Sequence, residues 1–308
     1  MALSDNLRGA ALMAGSMAAF STNDAFMKAL SGELPLPQAI FLRSVGAVAL
    51  LVLLARGFGQ LRLRVPREDR GLLLLRSLAE IGAAFFFLTA VFNMPLANAT
   101  AILQALPLAV TLAAAVVFGE PVGWRRLTAI VVGFAGVLII VRPGLEGFSI
   151  YSLHVLGCIA CVTVRDLASR RMTGAVPPLA VALYAAITVM LAFAAVSAFV
   201  PWQPVGAVEL AKLSGATVCI LLAYILSFAA MRVGDIATSA PFRYAGLLVA
   251  ILLGVLVFGE TLDAATVAGT VIVVGSGLYT LERERRLARR LARDEAGAAR
   301  NIASGGRG

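Results

Sequence analysis

Charge is what this sequence has least of. Only 14% of its 308 residues are Asp, Glu, Lys or Arg, against about 25% in soluble domains. One histidine and three cysteines complete a thin stock of ligating side chains. The cysteines all lie in apolar runs, which excludes a disulfide framework. Cys158-Ile159-Ala160-Cys161 has CxxC spelling, but no second pair and no nearby histidine join it, so neither a zinc site nor a thioredoxin-like site is expected. P-loop, HExxH, GxSxG and acidic metal clusters are missing too. Gly57-Phe58-Gly59 follows no strand pattern and is no dinucleotide fingerprint. The sequence therefore offers no catalytic constellation, and an enzyme, a metal and a cofactor are all unexpected. A sensor subunit would need a soluble output domain, and no segment is polar enough for one.

What is present is apolar. The residues AVILMFWYC make up 60% of the chain, with 29 glycines besides, and mean hydropathy is +0.91. A water-soluble globule has no use for so much apolar surface. With about 20 residues needed per span, the pattern predicts an all-α membrane protein of ten helices. The runs are Gly9–Leu30, Pro37–Ala55, Gly71–Phe92, Leu96–Phe118, Leu127–Val141, Ile150–Leu167, Pro178–Val200, Ala211–Met231, Ile236–Phe258 and Ala264–Leu281. The first run has a thin basic leader at Arg8 and a small-residue stretch at Met17-Ala18-Ala19. It is read as a retained helix, with a cleaved signal peptide as the alternative.

The net charge of +9 raises nucleic acid as a partner, but the distribution of charge excludes it. The basic residues sit in short segments between apolar runs rather than on one folded face. If the N-terminus is cytoplasmic, 19 of the 26 Lys and Arg fall in inward segments, two (Arg142 and Lys212) in outward ones and five within runs. That bias predicts both termini inside and an even number of spans. Residues 283–308 form a basic tail expected to lie on the anionic inner leaflet.

The chain repeats itself. Val117-Phe118-Gly119-Glu120 recurs as Val257-Phe258-Gly259-Glu260 at an offset of 140, and Pro37 meets Pro178 at 141. Five spans per repeat is an odd number, so the second repeat enters the membrane the opposite way. The expected units are 7–142 and 149–282, with a substrate site near the midplane between them. Ala129/Gly133 and Ala265/Gly269 are small-xxx-small pairs suited to close helix packing. They serve packing within one chain or, alternatively, a homodimer contact.

Ionisable groups inside spans are costly and mark cavities or pathways. Asp24 and Lys28, four apart, are placed to pair on one helix face, as are Arg76 and Glu80. Arg165 and Asp166 lie towards the inner end of span six, and Arg243 lies in span nine beside Tyr244, which matches Gln104 at the repeat offset. With Tyr224, these ten residues are the candidate substrate-binding or gating set. Arg43, near its helix start, can snorkel instead, and His154 near an outer end is read as structural. Phe85, Phe86, Phe87, Phe92, Tyr224, Phe228, Phe242 and Tyr244 could stack on a planar ligand or pack against lipid and neighbours. Pro107 and Pro241 are expected to kink their spans.

The two five-span repeats, the Phe-Gly-Glu endings after spans four and nine, and Arg43 after a Pro-led entry resemble the EamA-type branch of the drug/metabolite transporter superfamily. The resemblance spans about residues 7–282. It implies a cavity lined by spans one, three, four, six, eight and nine, alternating access, and movement of a small organic solute across the bilayer. Similar members move amino acids, S-adenosylmethionine or riboflavin. The stretch from Ser16 to Lys28 resembles the start of bacterial vitamin and S-adenosylmethionine importers. Riboflavin uptake across the bacterial inner membrane is the leading expectation. The alternative is S-adenosylmethionine uptake or exchange, or amino-acid export.

Overall fold

The computed structural model describes residues 3–57, 65–119, 123–144, 148–173, 176–233 and 240–305. Glu120 and the start of the ninth run, Ile236 and Ala237 included, lie outside them. Apolar runs become helices because a chain in lipid must satisfy its backbone polar groups internally. In order they are α1 (Leu3–Lys28), α2 (Leu36–Gly57), α3 (Arg70–Asn93), α4 (Leu96–Leu103), α5 (Leu106–Phe118), α6 (Trp124–Val141), α7 (Ile150–Arg171), α8 (Pro178–Ser197), α9 (Ala207–Arg232), α10 (Ala245–Phe258) and α11 (Ala264–Gly305). No strand occurs among the described residues.

Nine described segments are long and apolar enough to cross a bilayer. Helix α1 carries Asp5, Arg8, Asp24 and Lys28 and is the tenth by position: it packs along α9 and α10. Leu53, Val116, Val131, Leu248 and Leu256 are all more than 60% exposed, a pattern suited to lipid rather than water.

Pairing follows the repeat. Helix α1 lies on α9 and α3 on α7, which are equivalent contacts, whereas α2 on α8 and α6 on α11 map onto themselves. The α6–α11 seam is tight at Gly136 and Gly269. A Cβ added at Gly136 would come 2.9 Å from the Gly269 carbonyl oxygen. Close approach of α6 and α11 within the chain thus accounts for Gly269, and Gly133 is closed in by Leu108 and Ser276.

Span four is not continuous. It breaks at Gln104–Ala105, and Pro107 stands at the start of α5, where a missing N–H costs nothing. The second repeat breaks at the matching place: a 3-10 turn, Ala240–Tyr244, precedes α10. Both broken spans end on a left-handed glycine, Gly119 (φ 67°) and Gly259 (φ 63°), a conformation that suits a residue without Cβ. The basic tail is not a separate element. It extends span ten as one 42-residue helix.

Candidate functional site

A cavity of about 380 Å³ lies between the repeats. From α1 come Met17, Phe20, Ser21, Asn23 and Asp24, a set recurring at three, four and seven residues, so that they share one helix face. The lining also includes Arg76, Glu80 and Phe87 of α3, Gln104 at the break after α4, Arg165 of α7, Tyr224 of α9 and Arg243. Seven of the ten residues singled out from the sequence therefore meet at one place: Asp24, Arg76, Glu80, Gln104, Arg165, Tyr224 and Arg243. Spans two and seven also line the cavity, through Arg43, Ser44, Ala185 and Val189, which widens the six-span lining implied by resemblance.

The remaining three are elsewhere. Lys28 does not pair with Asp24 as its spacing allowed. Its Nζ lies 3.2 Å from Glu260 and donates to the Met94 carbonyl at 2.7 Å. Glu260 in turn accepts from the Leu96 N–H at 2.8 Å, satisfying a donor that the start of α4 leaves open. This clasp joins the end of α1 to the loop after α10, and hence one repeat to the other. Helix geometry makes Asp24 and Lys28 neighbours; the carbonyls and carboxylate at the α3–α4 corner offer the ammonium more. Asp166 accepts from Arg165 Nε at 2.9 Å and holds that guanidinium from beside the cavity. Tyr244 is buried with its ring against Gly277 of α11, where an added Cβ would collide with it. It sits behind the wall rather than on it.

The charges in the cavity are organised around Glu80. Arg165 Nη1 lies 3.3 Å from Glu80 Oε1, and Arg76 is 3.9 Å away on the next turn of α3. Glu80 is thus held by the facing helix as well as by its own. Phe20 and Tyr224 meet edge to face, with centroids 5.4 Å apart, and Phe87 lines the same cavity. Arg43 lines the cavity at only 8% exposure. Sequence reasoning set it aside as a snorkelling residue. The signal for it was its depth, seven residues past the start of α2, which is about 10 Å. Asn23 and Thr100 were also missed, because uncharged polar residues raise little signal in an apolar run. The Thr100 hydroxyl has no partner among the described residues.

Comparison with known proteins identifies the architecture. The model of the EamA-like transporter family matches residues 7–142 and again 150–281. The chain is 25% identical over 296 residues to an S-adenosylmethionine uptake transporter of Rickettsia prowazekii, covering 92% of this chain and 96% of that one. It is 27% identical to a riboflavin transporter of Vibrio cholerae, with 92% and 96% covered. It is 29% identical to the pseudopaline exporter CntI of Pseudomonas aeruginosa, with 83% and 89% covered. A solved crystal structure superposes with a TM-score of 0.64 over 91% of this chain and 98% of that one. At 22% identity, that likeness is one of fold.

Proposed function

The chain belongs to the EamA-like transporter family, and from that premise we propose that its central cavity carries a planar heteroaromatic metabolite across the bacterial inner membrane. Riboflavin uptake is the first candidate and S-adenosylmethionine the second. The observation that carries this reading is the aromatic lining of Phe20, Phe87 and Tyr224, the first and last edge to face, in a cavity that Asn23 and Gln104 also line. Stacking faces with a few fixed polar groups are how apolar pockets orient flat ligands. Relatives named for riboflavin and for S-adenosylmethionine support the class. A second reading, a solute bearing a carboxylate, is favoured by the balance of charge: four arginines face two carboxylates.

In this reading the cavity residues contact the solute. The Lys28–Glu260 clasp gates the arginine-poor end, and Asp166 positions Arg165. The arginine-rich segments and both termini face the cytoplasm. Reconstituted into liposomes, the protein should accumulate labelled riboflavin or S-adenosylmethionine above empty vesicles. Uptake of neither, with folded protein in the bilayer, would sink the proposal. A C-terminal fluorescent-protein fusion should glow, and a C-terminal alkaline phosphatase fusion should be inactive; the reverse would invert the topology.

A further inference from the structure

The two carboxylates of the cavity are held in unlike ways. Glu80 is bracketed by Arg165 and Arg76. Asp24 has no cation within 4.0 Å among the described residues; its contact is the side-chain amide of Asn23, which donates to Asp24 Oδ1 at 2.9 Å. The oxygen of that same amide accepts from Arg43 Nη1 at a long 3.4 Å. Asn23, 1% exposed, is therefore wedged between an acid and a guanidinium. Without it they could pair directly.

Both charges keep open capacity towards the cavity. A carboxylate can accept about four hydrogen bonds and a guanidinium donates five, and Arg43 is 8% exposed with one weak side-chain contact. Leaving such groups unsatisfied in a low-dielectric site is expensive, so the arrangement is one that a ligand completes. The wedge also indicates which ligand. An amide with its N–H towards Asp24 and its C=O towards Arg43 presents a donor to the one and an acceptor to the other. Ammonium and carboxylate on a single carbon present the same order with full charges.

The geometry points to Asp24, Asn23 and Arg43 as a subsite for the zwitterionic head of an α-amino-acid metabolite. The ammonium sits on Asp24 and the carboxylate on Arg43. Phe20 stands one helical turn back along α1, paired with Tyr224, and receives the ring or apolar end of the molecule. The Glu80–Arg165 pair is self-compensated and stays with the wall. Arg243 and Arg76 add positive charge to the same cavity, which favours the carboxylate end of such a molecule. The inference rests on the reading of the cavity as the transport site, and it narrows the ligand to one with an amino-acid head, which riboflavin lacks.

The test uses purified full-length protein in nanodiscs. Affinities are measured for L-tryptophan and S-adenosylhomocysteine, for their N-acetyl and methyl-ester derivatives, and for riboflavin. On the unaltered protein, blocking either end of the zwitterion should weaken binding about 10- to 100-fold. Asp24→Asn should erase the penalty for N-acetylation, and Arg43→Gln that for esterification. Equal binding of free and blocked amino acids would overturn the subsite. Binding of riboflavin alone would overturn it too, while leaving the cavity as a transport site. Binding of none of these would overturn both. The derivatives keep the inference testable even if a variant fails to fold.

Discussion

The two repeats share a backbone and differ in their chemistry. Helices α1 and α7 end 143 residues apart, close to the repeat offset, and the broken spans split at Gln104 and Tyr244, 140 residues apart. Each break is followed by a helix closing on Phe-Gly. Each of those phenylalanines lies under a cation from the neighbouring span end: Lys28 at 5.5 Å over Phe258, and Arg170 and Arg171 at 5.4 and 5.2 Å over Phe118. The lining breaks the symmetry. At the offset of 141 that matches Pro37 to Pro178, Asp24 falls on Arg165 and Arg43 on Tyr184. Gln104 faces the cavity while Tyr244 turns behind it. Duplication supplied the scaffold, and the departures from duplication gather in the cavity lining.

The comparison can be broken by making the repeats alike. Asp24→Arg copies its mate and adds a fifth guanidinium to the cavity. Initial uptake rates should fall about 100-fold or more, since a buried unpaired charge disrupts both site and packing; near-normal rates would show that the asymmetry is idle. Glu80→Gln removes the acid between two arginines. Because these side chains are 16–26% exposed, the cost is about 1–3 kcal/mol rather than the larger loss of a fully buried pair. Uptake should drop about tenfold, with the melting temperature lowered. Gly136→Ser copies Ser276 into the α6–α11 seam and should cost about 1–3 kcal/mol from overpacking, measured by thermal unfolding in detergent. An unchanged midpoint would mean that the seam can part.

The smallest effect concerns helix starts. Asp263 caps α11, accepting from the Thr266 N–H at 2.7 Å, while its mate Gly123 begins α6 with no side-chain cap. That backbone hydrogen bond, followed by Arg142, holds the Asp263 carboxyl below its ordinary value. A depressed carboxylate stabilises above the ordinary pKa of about 3.9 and loses that contribution as pH falls through its folded value. Asp263→Gly should therefore cost about 0.5–1 kcal/mol at neutral pH. The gap between variant and parent should close below about pH 3.9; a gap independent of pH would remove the charge from the cap.

Much of this fold was legible because bilayer constraints are written along the chain. Run length gave the spans, and the matching Phe-Gly-Glu endings gave the repeat. The breaks were half legible: Pro107 and Pro241 marked the regions, but the split falls two or three residues to one side or the other, where the interrupted hydrogen bonds are. The site was harder. In a helix apolar all round, periodicity says which residues share a face, but no polar face says which one looks inward. Hence its match to Gln104 points Tyr244 to the wall, and nearness to a helix start points Arg43 away from it. For Lys28 the sequence shows the neighbour four residues away and hides the Val91 and Met94 carbonyls that the fold brings to it.

Helix α11 has a mechanical consequence. At about 1.5 Å per residue, its 42 residues make a rod of about 63 Å, roughly twice the hydrocarbon thickness of a bilayer. The 23 residues from 283 to 305 project about 35 Å beyond span ten. A tilt of only about 5° in that span would swing the tip by about 3 Å, on the same rise per residue. The rod works as a pointer, magnifying small rotations of the α6–α11 seam into displacements that a spectroscopic label at its far end can follow.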